Sequence, residues 1–341
     1  MKKIFITILA VAALAACTKS EVAYDAPAEI GFAPVKGNLT KASGLSGSLA
    51  TTQELGVWAY WDNDGTVGTE VTDANATNFS NDYLVNALFE HESGTSWGAP
   101  EGKSYPWPVN GSLIFAGYTA PADKAVLSLY SSSQPTAANT VSYDRDTDVM
   151  TFHNYTNTNE FDLCWFGRTN KSYNNRADGT SVPVDLSHAL TWVTIAAYGQ
   201  NSAIGWKITS MTLNNYNVAG TATCDGDTKK ATWNSFTENA SPLTIGTDKL
   251  PHTLAAATDG KGVELSDNVL IPSDDVELTV NFSFDVNGVT KTDSKTFTLN
   301  TDPWVSGVHY TYTLVFNSTE ILLAPKYEEW GLSDDNTITV E

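Results

Sequence analysis

Apolar and polar residues alternate with a period of two through nearly the whole chain, and that alternation restricts the fold to β-sheet. It is clear in LGVWAYWD (55–62), SLIFAGYTA (112–120), AVLSLYSS (125–132), DVMTFHNY (148–155) and FDLCWFGR (161–168). It returns in LTWVTIAAYG (190–199), WKITSMTLNNY (206–216), VELTVNFSFDV (276–286), KTFTLN (295–300) and HYTYTLVFN (309–317). Turn formers separate these runs, among them Asn63-Asp64-Gly65, Asp178-Gly179, Asp225-Gly226 and Asn287-Gly288. The last pair lies between two alternating runs and predicts a tight hairpin. Helical spacing is scarce. SNDYLVNALFE (80–90), with Ser80 or Asn81 as N-cap, predicts one short helix. Many short strands between frequent turns predict an all-β chain of packed sandwiches with few short helices. The polar loop TNKSYNNRADGTSVP (169–183), closed by Gly and Pro, predicts a boundary between an N-terminal sandwich (29–170) and a C-terminal one (181–341).

The first residues follow a different pattern. Lys2 and Lys3 precede an apolar run, Ile4 to Ala13, and Leu14-Ala15-Ala16-Cys17 comes next. A charged start, a short apolar stretch and small residues before a cysteine make an export leader over 1–17. The apolar run is too short for a permanent membrane helix. Leu-Ala-Ala-Cys resembles a bacterial lipobox, which implies cleavage before Cys17 and diacylation of that residue. TKSEVAYDAPA (18–28) has the polar, Ala- and Pro-containing character of a tether. Thr18, with no Asp in that place, fits delivery to the outer membrane by similarity to enterobacterial sorting rules.

The chain carries a net charge of −20, and loss of Lys2 and Lys3 with the leader makes it more negative. Such a surface repels nucleic acid, and no basic stripe interrupts it, so nucleic-acid partners are excluded. The five histidines are His91, His153, His188, His252 and His309. None pairs with another at metal-ligand spacing, and there is no HExxH, nucleophile elbow, P-loop or dinucleotide fingerprint. No catalytic residue, cofactor or metal is therefore expected, and His188, opening a strand, reads as a packed structural histidine. Asp144, Asp146 and Asp148 at alternate positions would share one side of an extended segment, as calcium ligands or as a solvated tip neutralised by Arg145. WDNDG (61–65) poses the same choice. With Cys17 lipidated, Cys164 and Cys224 remain, as an export-compartment disulfide or as two buried thiols.

Tryptophan opens an alternative function. Trp58 and Trp192 sit in alternating strands and read as core. Trp107, between Pro106 and Pro108, and Trp97 are the candidates for exposed platforms that stack on sugars. A surface glycan-binding lipoprotein using them is the second functional reading, and an enzyme, with no constellation behind it, is the third.

Several stretches together carry a resemblance. VPVDLSHALTWVTIAAYG (182–199), preceded by FDLCWFG, resembles the junction between the two domains of the Bacteroidetes fimbrillins, the type V pilins. HYTYTLVF (309–316) and ILLAPKYEEW (321–330) resemble their closing Tyr-rich strand and late tryptophan. AEIGFAPVKGNLTKASG (28–44) resembles their first strand and the basic loop after it. The resemblance spans nearly the whole mature chain. It implies two tandem transthyretin-like β-sandwiches, a lipid anchor at the outer membrane, and a structural role in a fimbrium that serves adhesion. It also implies that a trypsin-like protease removes the first strand, here by cutting after Lys41, so that another subunit donates a strand to the vacated groove. The family often has arginine at the cut; this chain has none before Arg145, and Lys36 is a second candidate. The implied partners are other pilin subunits, as a homopolymer or with accessory subunits, and a host or bacterial surface ligand.

The residues supply a physical route for that exchange. Ile30 and Phe32 alternate with Gly31 and Ala33, so both large side chains of the displaced strand face one way. At the other end NTITVE (336–341) alternates Ile338 and Val340 with threonines, the spacing a donor strand needs. Two buried anchors at ~1.5–3 kcal/mol each and five or six ladder hydrogen bonds at ~0.5–1.5 kcal/mol each give on the order of 10 kcal/mol before association costs. The competing expectation for NTITVE is an edge strand of its own domain.

Overall fold

The computed structural model describes residues 28–36, 53–62, 79–93, 96–108, 111–120, 126–157, 161–168, 181–201, 204–257, 262–286, 288–317, 320–329 and 338–339. Among them there is no α-helix. The strands begin with β1 (Phe32–Lys36), β2 (Glu54–Asp62), β3 (Asn81–Ser93), β4 (Ser96–Gly98), β5 (Ser112–Ala120), β6 (Ser128–Leu129), β7 (Thr140–Asp144) and β8 (Val149–Thr156). β9 (Cys164–Phe166), β10 (Val182–Asp185), β11 (Ser187–His188), β12 (Thr191–Gly199), β13 (Lys207–Asn214), β14 (Asn217–Asp225), β15 (Lys230–Glu238) and β16 (Leu243–Ile245) follow. The chain ends with β17 (His252–Thr253), β18 (Val263–Leu270), β19 (Glu277–Val286), β20 (Val289–Thr298), β21 (Val308–Phe316), β22 (Ile321–Glu329) and β23 (Ile338–Thr339).

The short helix expected over 80–90 is instead strand β3. Its helical look comes from bulging: Val57 pairs with Ala87, Ala59 with Leu84 and Tyr60 with Asp82, so β3 spends an extra residue at each of two successive steps. Asn86 takes a φ of 50° at that place. Its side chain donates to the Leu127 carbonyl at 2.7 Å and accepts from the Tyr118 hydroxyl at 3.0 Å. The two shifts interrupt the alternation between Asp82 and Ala87, which removes the period of two from the middle of the strand. The hairpin expected at Asn287-Gly288 is present as β19–β20, paired out to Val286 and Val289, with Gly288 at a φ of 78°.

One eight-stranded sheet has the order β10-β1-β4-β3-β2-β5-β9-β11. Its two end strands are successive in the chain, with Leu186 alone between them. The segment 182–188 therefore joins both ends of the sheet, which curls back on itself around Ile30, Phe32, Phe89, Trp107, Phe115 and Phe166. The other face of β2, β5 and β9 is buried too. Trp58, Ile114, Tyr118 and Trp165 pack there against Val141, Phe152, Ala222 and Trp233 of the sheet β15-β14-β8-β7-β6. Burial on both faces explains why all nine residues of β5 are buried. A third core lies between the sheets β18-β12-β21-β22-β23 and β16-β13-β19-β20, filled by Val193, Ile195, Met211, Leu278, Phe282 and Phe316.

Strand pairing crosses the loop 169–183, where a boundary between sandwiches was expected. Downstream β10 pairs with upstream β1, and β11 with β9. The downstream hairpin β14–β15 joins β8, and Trp233 Nε1 donates to the Ala189 carbonyl at 2.7 Å. Segments 182–188 and 217–238 thus complete the first pair of sheets, because its faces would otherwise stay wet.

Candidate functional site

The first strand is held from both sides. β1 runs parallel to β10, with Phe32 beside Val182, Ala33 beside Pro183 and Pro34 beside Val184. On its other side Phe32 faces Trp97 of β4. The chain before it is tied as well: Ile30 N donates to the Tyr105 carbonyl at 2.8 Å and Trp107 N to the Ala28 carbonyl at 2.9 Å. Glu29 accepts from Ser104 Oγ at 2.6 Å and from Tyr105 N at 2.7 Å. Gly31 suits this close approach, since a Cβ there would stand 3.3 Å from the Trp97 carbonyl oxygen, a tight contact. Val182 N donates to the Gly31 carbonyl at 2.7 Å.

Ile30 and Phe32 are both 0% exposed. The Phe32 ring lies edge-on to Phe89 (4.8 Å) and Phe115 (5.2 Å) and tilted to Phe166 (6.2 Å). The two anchors read from the sequence thus meet in one core. Its remaining lining comes from β2, β3, β4, β5, β9 and β10, and no sequence signal groups those residues. Removing β1 would leave Val182–Asp185 without its strand partner and open one edge of Ser96–Gly98, which stays paired with β3, on either side of an apolar slot.

At the other end, Ile338 pairs with Tyr327 and Thr339 with Lys326, at the edge of β22. This two-residue pairing is the edge strand of its own sheet that the sequence left as the competing arrangement. Pro325, which has no N–H, precedes it on β22. Cys17, Lys41 and Val340 lie outside the described residues, as do Trp330 and residues 63–65 of the acidic turn.

Two expectations are corrected by burial. Trp97 and Trp107 are 2% and 1% exposed, so neither is a platform for sugars. Trp97 Nε1 donates to the Gln53 carbonyl at 2.9 Å, and Trp107 packs edge-on against Phe115 at 5.7 Å. The carboxylates of Asp144, Asp146 and Asp148 do not share a side either, because a turn replaces the extended segment. Asp148 has a φ of 52° and points inward to the Tyr143 hydroxyl (2.8 Å) and Arg168 N (2.8 Å), while Asp146 pairs with Arg145. Cys164 and Cys224 are free thiols in different cores.

A second constellation surrounds His188. Its Nδ1 lies 2.7 Å from Asp162 Oδ2, and Cys164 Sγ lies 3.2 Å from the same oxygen and 3.4 Å from Nδ1. All three side chains are buried. Burial and the neighbouring Asp162 push the Cys164 thiol well above its ordinary value, so it is a poor nucleophile.

Known proteins can be set beside this geometry. The fold is similar to that of a fimbrial protein from Bacteroides vulgatus ATCC 8482, with a TM-score of 0.53 and 17% identity over 81% of this chain and 92% of that one. It is also similar to a candidate cell adhesion protein from Bacteroides uniformis ATCC 8492, with a TM-score of 0.50 and 16% identity over 90% of this chain and 99% of that one. Among curated proteins none matches. The model of the prokaryotic membrane lipoprotein lipid attachment site matches residues 1–18, which supports a membrane-anchored protein. The fimbrillin-like family model matches residues 40–330. Fimbrillin-like proteins are structural rather than enzymatic, and with most of its length matched this chain belongs to the fimbrillin-like family.

Proposed function

We propose that the chain is a structural subunit of a cell-surface pilus, assembled by proteolytic removal of its first strand and donor-strand exchange, and serving adhesion. The observation that carries this reading is the seat of the first segment: Ile30, just before β1, and Phe32, within it, are completely buried, yet a single cut after Lys41 would sever both from the chain that follows. In the precursor β1 fills the groove and keeps the subunit soluble during export. Cys17 is the lipid anchor and the outer membrane the place of assembly. A cut after Lys41 frees the whole of β1, and the groove between β4 and β10 then takes an incoming strand with two apolar anchors at alternate positions. Ile338 and Val340 of another subunit have that spacing. Two paired residues hold Ile338 and Thr339 to their own sheet, worth about 1–3 kcal/mol at ~0.5–1.5 kcal/mol per hydrogen bond, so release of the tail is cheap. Two working parts follow: a first sandwich (29–170) that also recruits 182–188 and 217–238, and a second (181–341) that ends in the donor tail. The subunits joined are further copies of this chain or accessory pilins.

The test is digestion of the purified precursor with a trypsin-class protease. The expected product starts at Ala42 and forms ladders on a non-reducing gel run without boiling. Deleting residues 332–341 is expected to abolish the ladders without blocking the cut. Trimmed protein that stays monomeric at high concentration overturns the reading.

A further inference from the structure

We propose that Asp162, Cys164 and His188 form a buried structural site for a zinc-class divalent cation. The site uses neither the displaced anchors nor the donor residues, although Cys164 belongs to the core that Ile30 and Phe32 fill. Asp162 and Cys164 are two apart along an extended segment and so face the same way. His188 is the register partner of Cys164 across the β9–β11 pairing. One oxygen, one sulfur and one nitrogen therefore converge, at mutual distances of 3.2, 3.4 and 2.7 Å. Tetrahedral zinc with ligands at ~2.0–2.3 Å holds such atoms roughly 3.3–3.6 Å apart, so both sulfur distances are already close and the His188–Asp162 pair opens by about 0.6 Å.

A second observation points to a cation rather than to hydrogen bonding alone. Both neighbours crowd Asp162 Oδ2, while Asp162 Oδ1 is buried and accepts no hydrogen bond from the described residues. Asp162 is 4% exposed, and a buried carboxylate oxygen without a partner is costly. A cation held by both carboxylate oxygens gives Oδ1 its partner and takes from it the fourth donor that a closed zinc site needs. The Asp162 backbone is already fixed: its carbonyl accepts from Gln53 Nε2 at 3.0 Å and Thr119 Oγ1 at 2.9 Å. Thr119 Oγ1 also accepts from Cys164 N at 2.7 Å. The donor set is therefore held in place before any ion arrives. Mixed S, N and O ligation selects zinc over calcium or magnesium, which prefer all-oxygen sites. On binding, the Cys164 thiol proton leaves to solvent and His188 ligates through Nδ1 with its proton on Nε2. The ion would bridge β9 and β11 at the point where segment 182–188 joins both ends of the eight-stranded sheet. Complete burial leaves no room for substrate, so its role is to brace the fold.

Metal-free purified chain is titrated with Zn²⁺ and, separately, with Co²⁺. One zinc per chain is expected, retained through gel filtration, with thiolate-to-cobalt charge-transfer absorption in the Co²⁺ form. C164S and H188N are expected to weaken zinc by more than the ~10–100-fold that loss of an outer-shell partner costs, while C224S, altered in the other core, keeps it. Absence of retained zinc and of thiolate–cobalt absorption in the wild type overturns the proposal, as does undiminished binding by C164S. If C164S fails to fold, the wild-type cobalt spectrum decides alone.

Discussion

Phe32 stands edge-on to Phe89, with ring centroids 4.8 Å apart and planes at 86°. Nothing in the sequence near either residue announces the pair, yet it anchors the strand that the proposed assembly must remove. Replacing Phe32 by Ala leaves a cavity among Phe89, Phe115 and Phe166 and is expected to cost about 3–5 kcal/mol, read as a lower urea midpoint of the precursor. The same substitution should have no effect once the strand is gone. After digestion, wild type and F32A should unfold alike and ladder alike; a persistent difference would mean that β1 stays bound after the cut.

The alternation of 112–120 became β5 residue for residue, and Asn287-Gly288 turned where an Asn-Gly pair should. These features depend only on neighbours in the chain. Strand β3 was hidden because the bulge at Asn86 breaks its period. The hairpin 217–238 was hidden for another reason: Ala219, Gly220 and Ala222 give β14 little apolar contrast, and most of β15 is exposed. The anchors Ile30 and Phe32 were legible as an alternating pair. Their groove was not, because it is assembled from six strands spread along the sequence and closed by a segment whose two ends pair with different partners.

The thiols of Cys164 and Cys224 are both 0% exposed, and burial holds each well above its ordinary pKa. Thiolate is the reactive form, so neither should react with Ellman's reagent in the folded chain at neutral pH. Both should titrate in denaturant without a reductant, because they are not bridged. Titration of none under denaturing conditions would reveal a disulfide and refute this pairing of separate cores.

Asp267 and His309 should impose opposite pH slopes. Asp267 accepts hydrogen bonds from Trp192 Nε1 (3.1 Å) and the Thr194 hydroxyl. Desolvation first, then a hydrogen bond with Glu264, raises its pKa to about 6. The folded chain keeps a proton there that the unfolded chain releases, so this contribution is lost as pH rises from about 3.8 through about 6. His309, stacked on Trp192 at 3.6 Å, is lowered to about 4 by burial, against the opposing pull of Glu328. The unfolded chain binds that proton first, so stability is lost as pH falls from about 6.5 to about 4. In wild type the two slopes oppose each other over the shared window. D267N removes the first, and its urea midpoint should climb with pH through that window more steeply than the wild type's; parallel curves would contradict the assignment.

The tail should be nearly silent in the monomer. Among the described residues β23 meets β22 at Ile338–Tyr327 and Thr339–Lys326, whereas β22 pairs with β21 along all nine of its residues, from Ile321 to Glu329. β22 itself helps to close the third core, through Ile321 and Leu323. Deleting residues 332–341 should therefore shift the melting free energy of the uncut chain by no more than about 1–3 kcal/mol, the worth of two ladder hydrogen bonds. A larger loss, measured by urea unfolding of the deleted and full chains side by side, would make β23 an integral strand of its own domain. A tail that expensive to detach would be a poor donor, whereas a tail that detaches at small cost has its Ile338 and Val340 available for a neighbouring groove.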